Sequence, residues 1–225
     1  MVTTEELEAT FRKVGNDFGL GDVTAEFAPF RDLKLRWKRT ISWAEFSVSD
    51  YLAEAPMEVV EGIAKTVMSK IRGEPDVSYP EETEQWLMSE EFRELNQDTY
   101  IARSRSVDTE SENDPVLMRS YGRLLEKGLI GEIEGLKLFW SEKPSEEKSG
   151  QSSCLMRVVI MNSRLKEDGV PEEVIDYCLL GQLANIRIGF GLDPAERNIR
   201  IADLIKSFAA SEETIRWLED SRMEI

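Results

Sequence analysis

The feature that most constrains this chain is an order of patterns that recurs. Alternating runs are followed by a proline and then by an apolar stripe at helical spacing. Asp32 to Arg39 and Ser42 to Asp50 alternate with a period of two and are rich in aromatic and β-branched residues, the pattern of half-buried strands. Pro56 then stands where the first turn of a helix tolerates a residue without an N–H. Val59, Val60, Ile63, Val67 and Ile71 form the stripe of that helix as far as Gly73. The second half repeats the order. "PEEVID" from Pro171 echoes "PMEVVE" from Pro56, and Leu165 stands to Pro171 roughly as Leu52 stands to Pro56. Leu136-Lys-Leu-Phe-Trp140 likewise echoes Leu33-Lys-Leu-Arg-Trp37. These patterns predict an α+β protein, helices packed on a mixed β-sheet, built around a duplicated strand-strand-helix unit.

Around this frame the chain predicts further helices. Thr3 and Glu6 have the spacing of a capping box, and Leu7, Phe11 and Val14 follow at helical intervals before Gly15 and Gly19. Another helix is expected from Pro80 to Asp98, with Trp86, Leu87, Phe92 and Leu95 inward, and another from Pro115 to Lys127. Residues 104–114, "SRSVDTESEND", are polar and turn-rich and read as a linker between 1–103 and 115–225. The two parts can pack as one domain. The polar run between Trp140 and Ser153 has no apolar periodicity and reads as a mobile loop.

Charge and residue usage narrow the chemistry. With 28 basic and 44 acidic residues the net charge is −16, which repels a phosphate backbone, so no nucleic-acid partner is expected. The densest basic stretch, Lys34-Leu-Arg-Trp-Lys-Arg39, is a single short patch on an expected strand. The chain has 0 histidines, which removes the commonest transition-metal ligand and the commonest general base near neutral pH. Cys154 and Cys178 have no metal-binding spacing and read as thiols of a reducing compartment. No apolar run approaches the ~18 residues of a membrane span, so a soluble, cytoplasmic protein without cofactor is expected.

From about Leu136 the chain resembles the zincin metallopeptidase-like proteins, in particular the small gluzincin-like and SprT-like metal-dependent hydrolases. The resemblance is carried by "VVIMNSRLKEDGVPEEVIDYCLLGQLANIRIGFG" and, more loosely, by "EETIRWLED". In that family a proline-started helix, here 171–188, carries H-E-x-x-H, whose two histidines bind zinc while the glutamate takes a proton from the bound water. Residue by residue, the first histidine falls on Gly181, the glutamate on Gln182 and the second histidine on Asn185, with Gly191 where one branch has a third histidine. None of the four is a zinc ligand or a base of the required kind. The corresponding place in the first half, Thr66 to Lys70, holds no ligand set either.

The resemblance therefore implies a catalytically inactive zincin-like protein, a pseudoenzyme without a metal, that binds a peptide or protein partner. A zincin lays its substrate along a sheet edge in front of the active-site helix. Leu136 to Trp140 is the candidate edge, and Leu136, Leu138, Trp140, Gln182, Asn185 and Arg187 are the candidate groove. The residues alone leave two other readings open. One is a hydrolase using Glu196 and Asp203 with Mg2+. The other is an unrelated α+β domain whose helix carries Ile175, Leu179, Leu183 and Ile186 as an ordinary core stripe.

Overall fold

The computed structural model describes residues 1–75, 77–221 and 223. The chain forms two compact units, Met1–Tyr100 and Ile101 onward, and the boundary falls inside a helix rather than in a polar linker.

The first unit begins with α1 (Thr4–Asp17), whose capping box is formed as the Thr3/Glu6 spacing predicts. Three strands follow, β1 (Asp22–Ala28), β2 (Leu35–Arg39) and β3 (Trp43–Ser49). Their order in the sheet is β1-β3-β2, with β1 parallel and β2 antiparallel to β3. A short 3-10 helix, Asp50–Leu52, leads to α2 (Met57–Arg72). Pro56 is the N-cap of α2, and Gly73 ends it in the left-handed conformation at φ 79°. Val23, Ala25, Ala44, Phe46 and Val48 alternate inward and are buried. They meet Leu7, Phe11 and Val14 of α1, and the Phe11 and Phe46 rings lie 5.0 Å apart. Each large apolar side chain so buried contributes about 1.5–3 kcal/mol.

The expected helix over 80–98 is two helices, α3 (Glu81–Leu87) and α4 (Glu90–Arg103). Ser89 separates them: its hydroxyl accepts from the Phe92 N–H at 3.1 Å, as an N-cap does. Leu95, expected inward, is exposed.

The second unit repeats the order of the first. α5 (Pro115–Glu126), β5 (Lys137–Ser141), β6 (Gly150–Ser153), β7 (Val158–Met161), a 3-10 helix Ser163–Lys166 and α6 (Glu172–Ile188) follow in turn. Here too the third strand lies in the middle: β5 is parallel and β6 antiparallel to β7. The registers superpose residue on residue. Ser49 N–H donates to the Lys34 carbonyl at 3.0 Å just before β2, and Asn162 N–H donates to the Ser149 carbonyl at 2.9 Å just before β6. Leu35 opposes Val48 as Gly150 opposes Met161. The repetition read from the two prolines and from Leu52 and Leu165 is thus present in the topology. One echo is corrected: Leu136 to Trp140 occupies the place of β1, not of the Leu33 to Trp37 run.

Two segments expected to lack order are built into the second sheet. Within 104–114, β4 (Val107–Asp108) pairs with β5, and Thr109–Ser111 form a 3-10 turn. Within the polar run 140–153, β6 is a strand and the turn before it is held by Asn162. This buried side chain accepts from Ser145 and Arg164 N–H, both at 3.0 Å, and donates to the Ser145 and Lys148 carbonyls, both at 2.7 Å. Two further helices, α7 (Pro194–Lys206) and α8 (Glu212–Ser221), complete the chain.

Candidate functional site

Helix α6 is buried on nearly every face, since Val174, Ile175, Cys178, Leu179, Leu180, Leu183, Ala184 and Ile186 all leave solvent. Two polar anchors fix its first half. Asp176, buried, accepts from Ser120 Oγ at 2.7 Å and from both Nε (2.9 Å) and Nη2 (2.7 Å) of Arg123, which ties α6 to α5. The same carboxylate raises the Arg123 pKa above its ordinary value. Glu173 accepts from Ser211 N–H at 2.9 Å and Thr214 Oγ1 at 2.6 Å, which dock the start of α8. Hydrogen bonds from Ser211 and then Thr214 hold its carboxyl below the usual range.

The positions singled out in the sequence lie on the next turns. Gly181 and Gln182 are buried, and Asn185 is half-buried. Gln182 and Asn185 face β6, which packs closely on α6. A Cβ added to Gly150 would stand 2.9 Å from the Ile160 carbonyl oxygen and 3.3 Å from Gln182 Cγ, so only glycine lets strand and helix approach this far. Between them runs one directed chain of hydrogen bonds. Arg197 of α7 donates to Asn185 Oδ1 from Nε (3.1 Å) and Nη2 (2.6 Å). Asn185 Nδ2 donates to Ser152 Oγ at 2.9 Å, and Ser152 Oγ donates to Gln182 Oε1 at 3.0 Å. Arg197 also donates to the Asn185 and Gly189 carbonyls at 3.1 and 2.5 Å, capping the negative end of α6.

The chemistry of this constellation is limited. Ser152 gives its proton to an amide oxygen and receives an amide N–H, so no base stands ready to activate it. Gln182 and Asn185 do not titrate. The donor set does not fit zinc: Gly181 has no ligand atom, and the Gln182 and Asn185 carboxamide oxygens already accept hydrogen bonds. Among the described residues no three His, Cys, Asp or Glu side chains are grouped to hold an ion. Glu196 and Asp203 pair along the surface of α7 with Arg200 (2.6 Å) and Lys206 (3.0 Å), away from this chain of bonds.

The other candidate residues are not brought together. Gly191 lies exposed in the turn after α6 at φ 97°, in the left-handed region, three residues before α7 begins. Arg187 is exposed. Leu136 is half-buried, while Leu138 and Trp140 are wholly buried. The expected edge at Leu136 to Trp140 is corrected. β5 pairs with β7 on one side, and on the other its backbone is occupied by Asn113 (N–H to the Leu138 carbonyl, 2.7 Å) and Ser111 (Oγ from the Trp140 N–H, 2.9 Å). The edge nearest α6 is β6.

Ser152 and Arg197 were not legible as site residues. Ser152 sits in a polar run without periodicity, and Arg197 is one charge among several on a helix that buries no residue. Comparison with protein-family models, with curated proteins and with solved structures gave no match for this chain. Among the described residues no helix is long and apolar enough to cross a membrane.

Proposed function

We propose that the chain is a catalytically inactive, zincin-like protein of the cytoplasm that binds an extended peptide or protein segment. The observation that carries this reading is the hydrogen-bond chain Arg197–Asn185–Ser152–Gln182. At the positions where the resemblance expects two ligands and a base, neutral amides and a serine satisfy one another, and a fixed guanidinium supplies the only charge. Such a cluster stabilises a scaffold and does not polarise a peptide bond. What a hydrolase scaffold keeps after losing its catalytic groups is the ability to take up an extended chain at a sheet edge.

Two measurements on the purified protein test the reading. Elemental analysis should find no stoichiometric zinc or magnesium, and the melting temperature should be unchanged by chelator. An array of extended peptides of varied charge should contain sequences that the full chain binds. Stoichiometric metal with a melting point several degrees lower in chelator would overturn the inactive assignment. An array without any bound peptide would overturn the binding role.

A further inference from the structure

The basic stretch around β2 takes no part in the site on α6, yet it forms the most accessible strand edge of the first unit. In the order β1-β3-β2, strand β2 has a partner on one side only. Lys34 accepts at its carbonyl from Ser49, and Thr40 N–H donates to the Trp43 carbonyl at 2.9 Å. Even-numbered residues therefore turn their backbone groups toward β3, and Leu35, Trp37 and Arg39 turn theirs outward. A short strand laid alongside would find a ready ladder there.

The side chains alternate in the other sense. Leu35 and Trp37 oppose Val48 and Phe46 on the core face, whereas Arg36 and Lys38 oppose Ser47 and Glu45 on the outer face. Lys34 continues the outer row, so three cations recur at every second residue along one edge. None of them, nor Arg39, has a carboxylate within ion-pairing distance among the described residues, whereas the neighbouring Arg31 is paired with Asp32 at 2.9 Å. Arg36 is steadied over the Phe30 ring at 5.1 Å. On the core side Trp37 remains 48% exposed. It helps line an open groove of about 940 Å³ with Leu35, Arg36 and Lys38, and the carboxylates Glu8, Glu26 and Glu45 line the same groove.

Charge selects among the possible occupants. A second copy paired β2 to β2 would set its Arg36 and Lys38 against the same cations. The acidic surround, with Glu26 and Glu45 in the adjoining rows, weakens the binding of any anion. An extended strand can nevertheless pair its backbone with β2 and set a carboxylate at every second residue, the period of Lys34, Arg36 and Lys38. A nucleic acid offers no backbone ladder and more negative charge. We infer that β2 is the docking edge for an acidic, extended segment of a partner protein, one that alternates carboxylate and apolar residues. Its carboxylates stand beside Lys34, Arg36 and Lys38, and its apolar residues cover Leu35 and Trp37. This rests on the reading of the chain as a peptide-binding module and names the edge and the partner's chemistry.

The test is fluorescence anisotropy of the full chain with fluorescein-labelled Glu-Val-Glu-Val-Glu-Val-Glu amide. Its Lys-Val counterpart, two versions N-methylated on the valines or on the glutamates, and a single-stranded RNA of equal charge are run in parallel. The Glu-Val peptide should bind and the Lys-Val peptide should not. One of the two N-methylated versions should lose at least about tenfold, because one set of amides must face β2. Arg36→Glu with Lys38→Glu should also weaken binding by at least about tenfold, while Lys206→Glu leaves it unchanged. Should the double reversal not fold, Arg36→Gln with Lys38→Gln serves the same purpose with a smaller loss.

Equal binding of both N-methylated peptides, or binding indifferent to the β2 variants, overturns the inference. So does RNA that binds more tightly than the peptide and is lost in the same variants. If the Glu-Val peptide fails while other array peptides bind independently of Arg36 and Lys38, β2 is the wrong edge and the peptide-binding reading stands. If no extended peptide of any charge binds, that reading falls as well.

Discussion

Replacing Arg197 by alanine should free α7 from α6 while the rest of the second unit stays folded. Helix α7 buries no residue, and Leu204 is its one side chain packed against the apolar core, only partly buried. Phe208, buried against Tyr177 of α6, anchors the chain just after the helix. The rest of α7 is tied to α6 by the Arg197 guanidinium, which reaches three acceptor oxygens: Asn185 Oδ1, the Asn185 carbonyl and the Gly189 carbonyl. Hydrogen bonds from a charged donor are worth about 1.5–3 kcal/mol each when well buried. Half-exposure reduces that figure, and ordering the long side chain costs about 2 kcal/mol. The favourable position at a helix C-terminus adds about 0.3–1 kcal/mol. The net is about 2 kcal/mol, or roughly a 30-fold change in the equilibrium for detaching α7. Native-state hydrogen exchange reads this directly: amides from Ile199 to Leu204 should exchange about 30-fold faster, while those of Leu179 and Leu183 stay protected. Arg200→Ala, which breaks only the exposed pair with Glu196, should change exchange by less than about twofold. Arg197→Lys should fall between, since an ammonium cannot span three acceptors. Exchange in Arg197→Ala within about threefold of the parent, or an equal effect of Arg200→Ala, would show that α7 is held by something else.

Three further outcomes follow from the second unit. Burial pushes the Cys178 thiol up to about 12. The folded chain therefore keeps a proton that the unfolded chain releases from about pH 8.5 upward, so stability should fall as pH rises beyond about 9. Urea midpoints between pH 8 and 10.5 should show this slope, and Cys178→Ala should flatten it. Asn162→Ala removes four hydrogen bonds that shape the turn before β6, and should speed tryptic cleavage after Lys148 relative to cleavage after Arg105. Asp176→Ala leaves Arg123 and Ser120 without their acceptor and should cost about 3 kcal/mol in urea unfolding, whereas Glu172→Ala, which removes an exposed partner of Arg123, should cost less than about 0.5 kcal/mol.

What could be read from the sequence was whatever rests on local pattern. The capping box at Thr3, the proline-started helices, the stripe of α2 and the strands β2 and β3 are written in spacing and side-chain type, and they fold as written. Strand β1 alternates over Asp22–Ala28 and was missed all the same. The other misses share a cause, which is order supplied by partners distant in sequence. β6 has polar side chains and pairs with β7 through its backbone, so no alternation marks it. The 104–114 stretch looks like a linker because its serines, aspartates and asparagine are polar, yet Ser111 and Asn113 spend that polarity on the backbone of β5. The break at Ser89 shows only as a serine ahead of two glutamates. At the candidate site, positions 181, 182 and 185 were legible because helix geometry fixes them. Ser152 and Arg197, which complete the chain of bonds, come from a strand and a helix whose meeting with α6 only the tertiary fold decides.

The two units invite a comparison that neither permits alone. Each places its second strand at the free edge of a sheet, antiparallel to the third, in the same register. In the second unit that strand is short, its glycine lets α6 approach, and Ser152 bonds to the helix, so the strand is tied to its own domain. In the first unit the corresponding strand carries cations and a half-exposed tryptophan, and among the described elements it packs substantially on β3 alone. Exposed edges ordinarily risk association, and charged side chains along them are a common guard. A guard made only of cations repels copies of itself but still admits a strand of opposite charge. The same order of three strands is thus closed at one edge by neutral hydrogen bonds and lies open at the other under a row of cations, which is why the proposed partner strand is placed on β2 and not on β6.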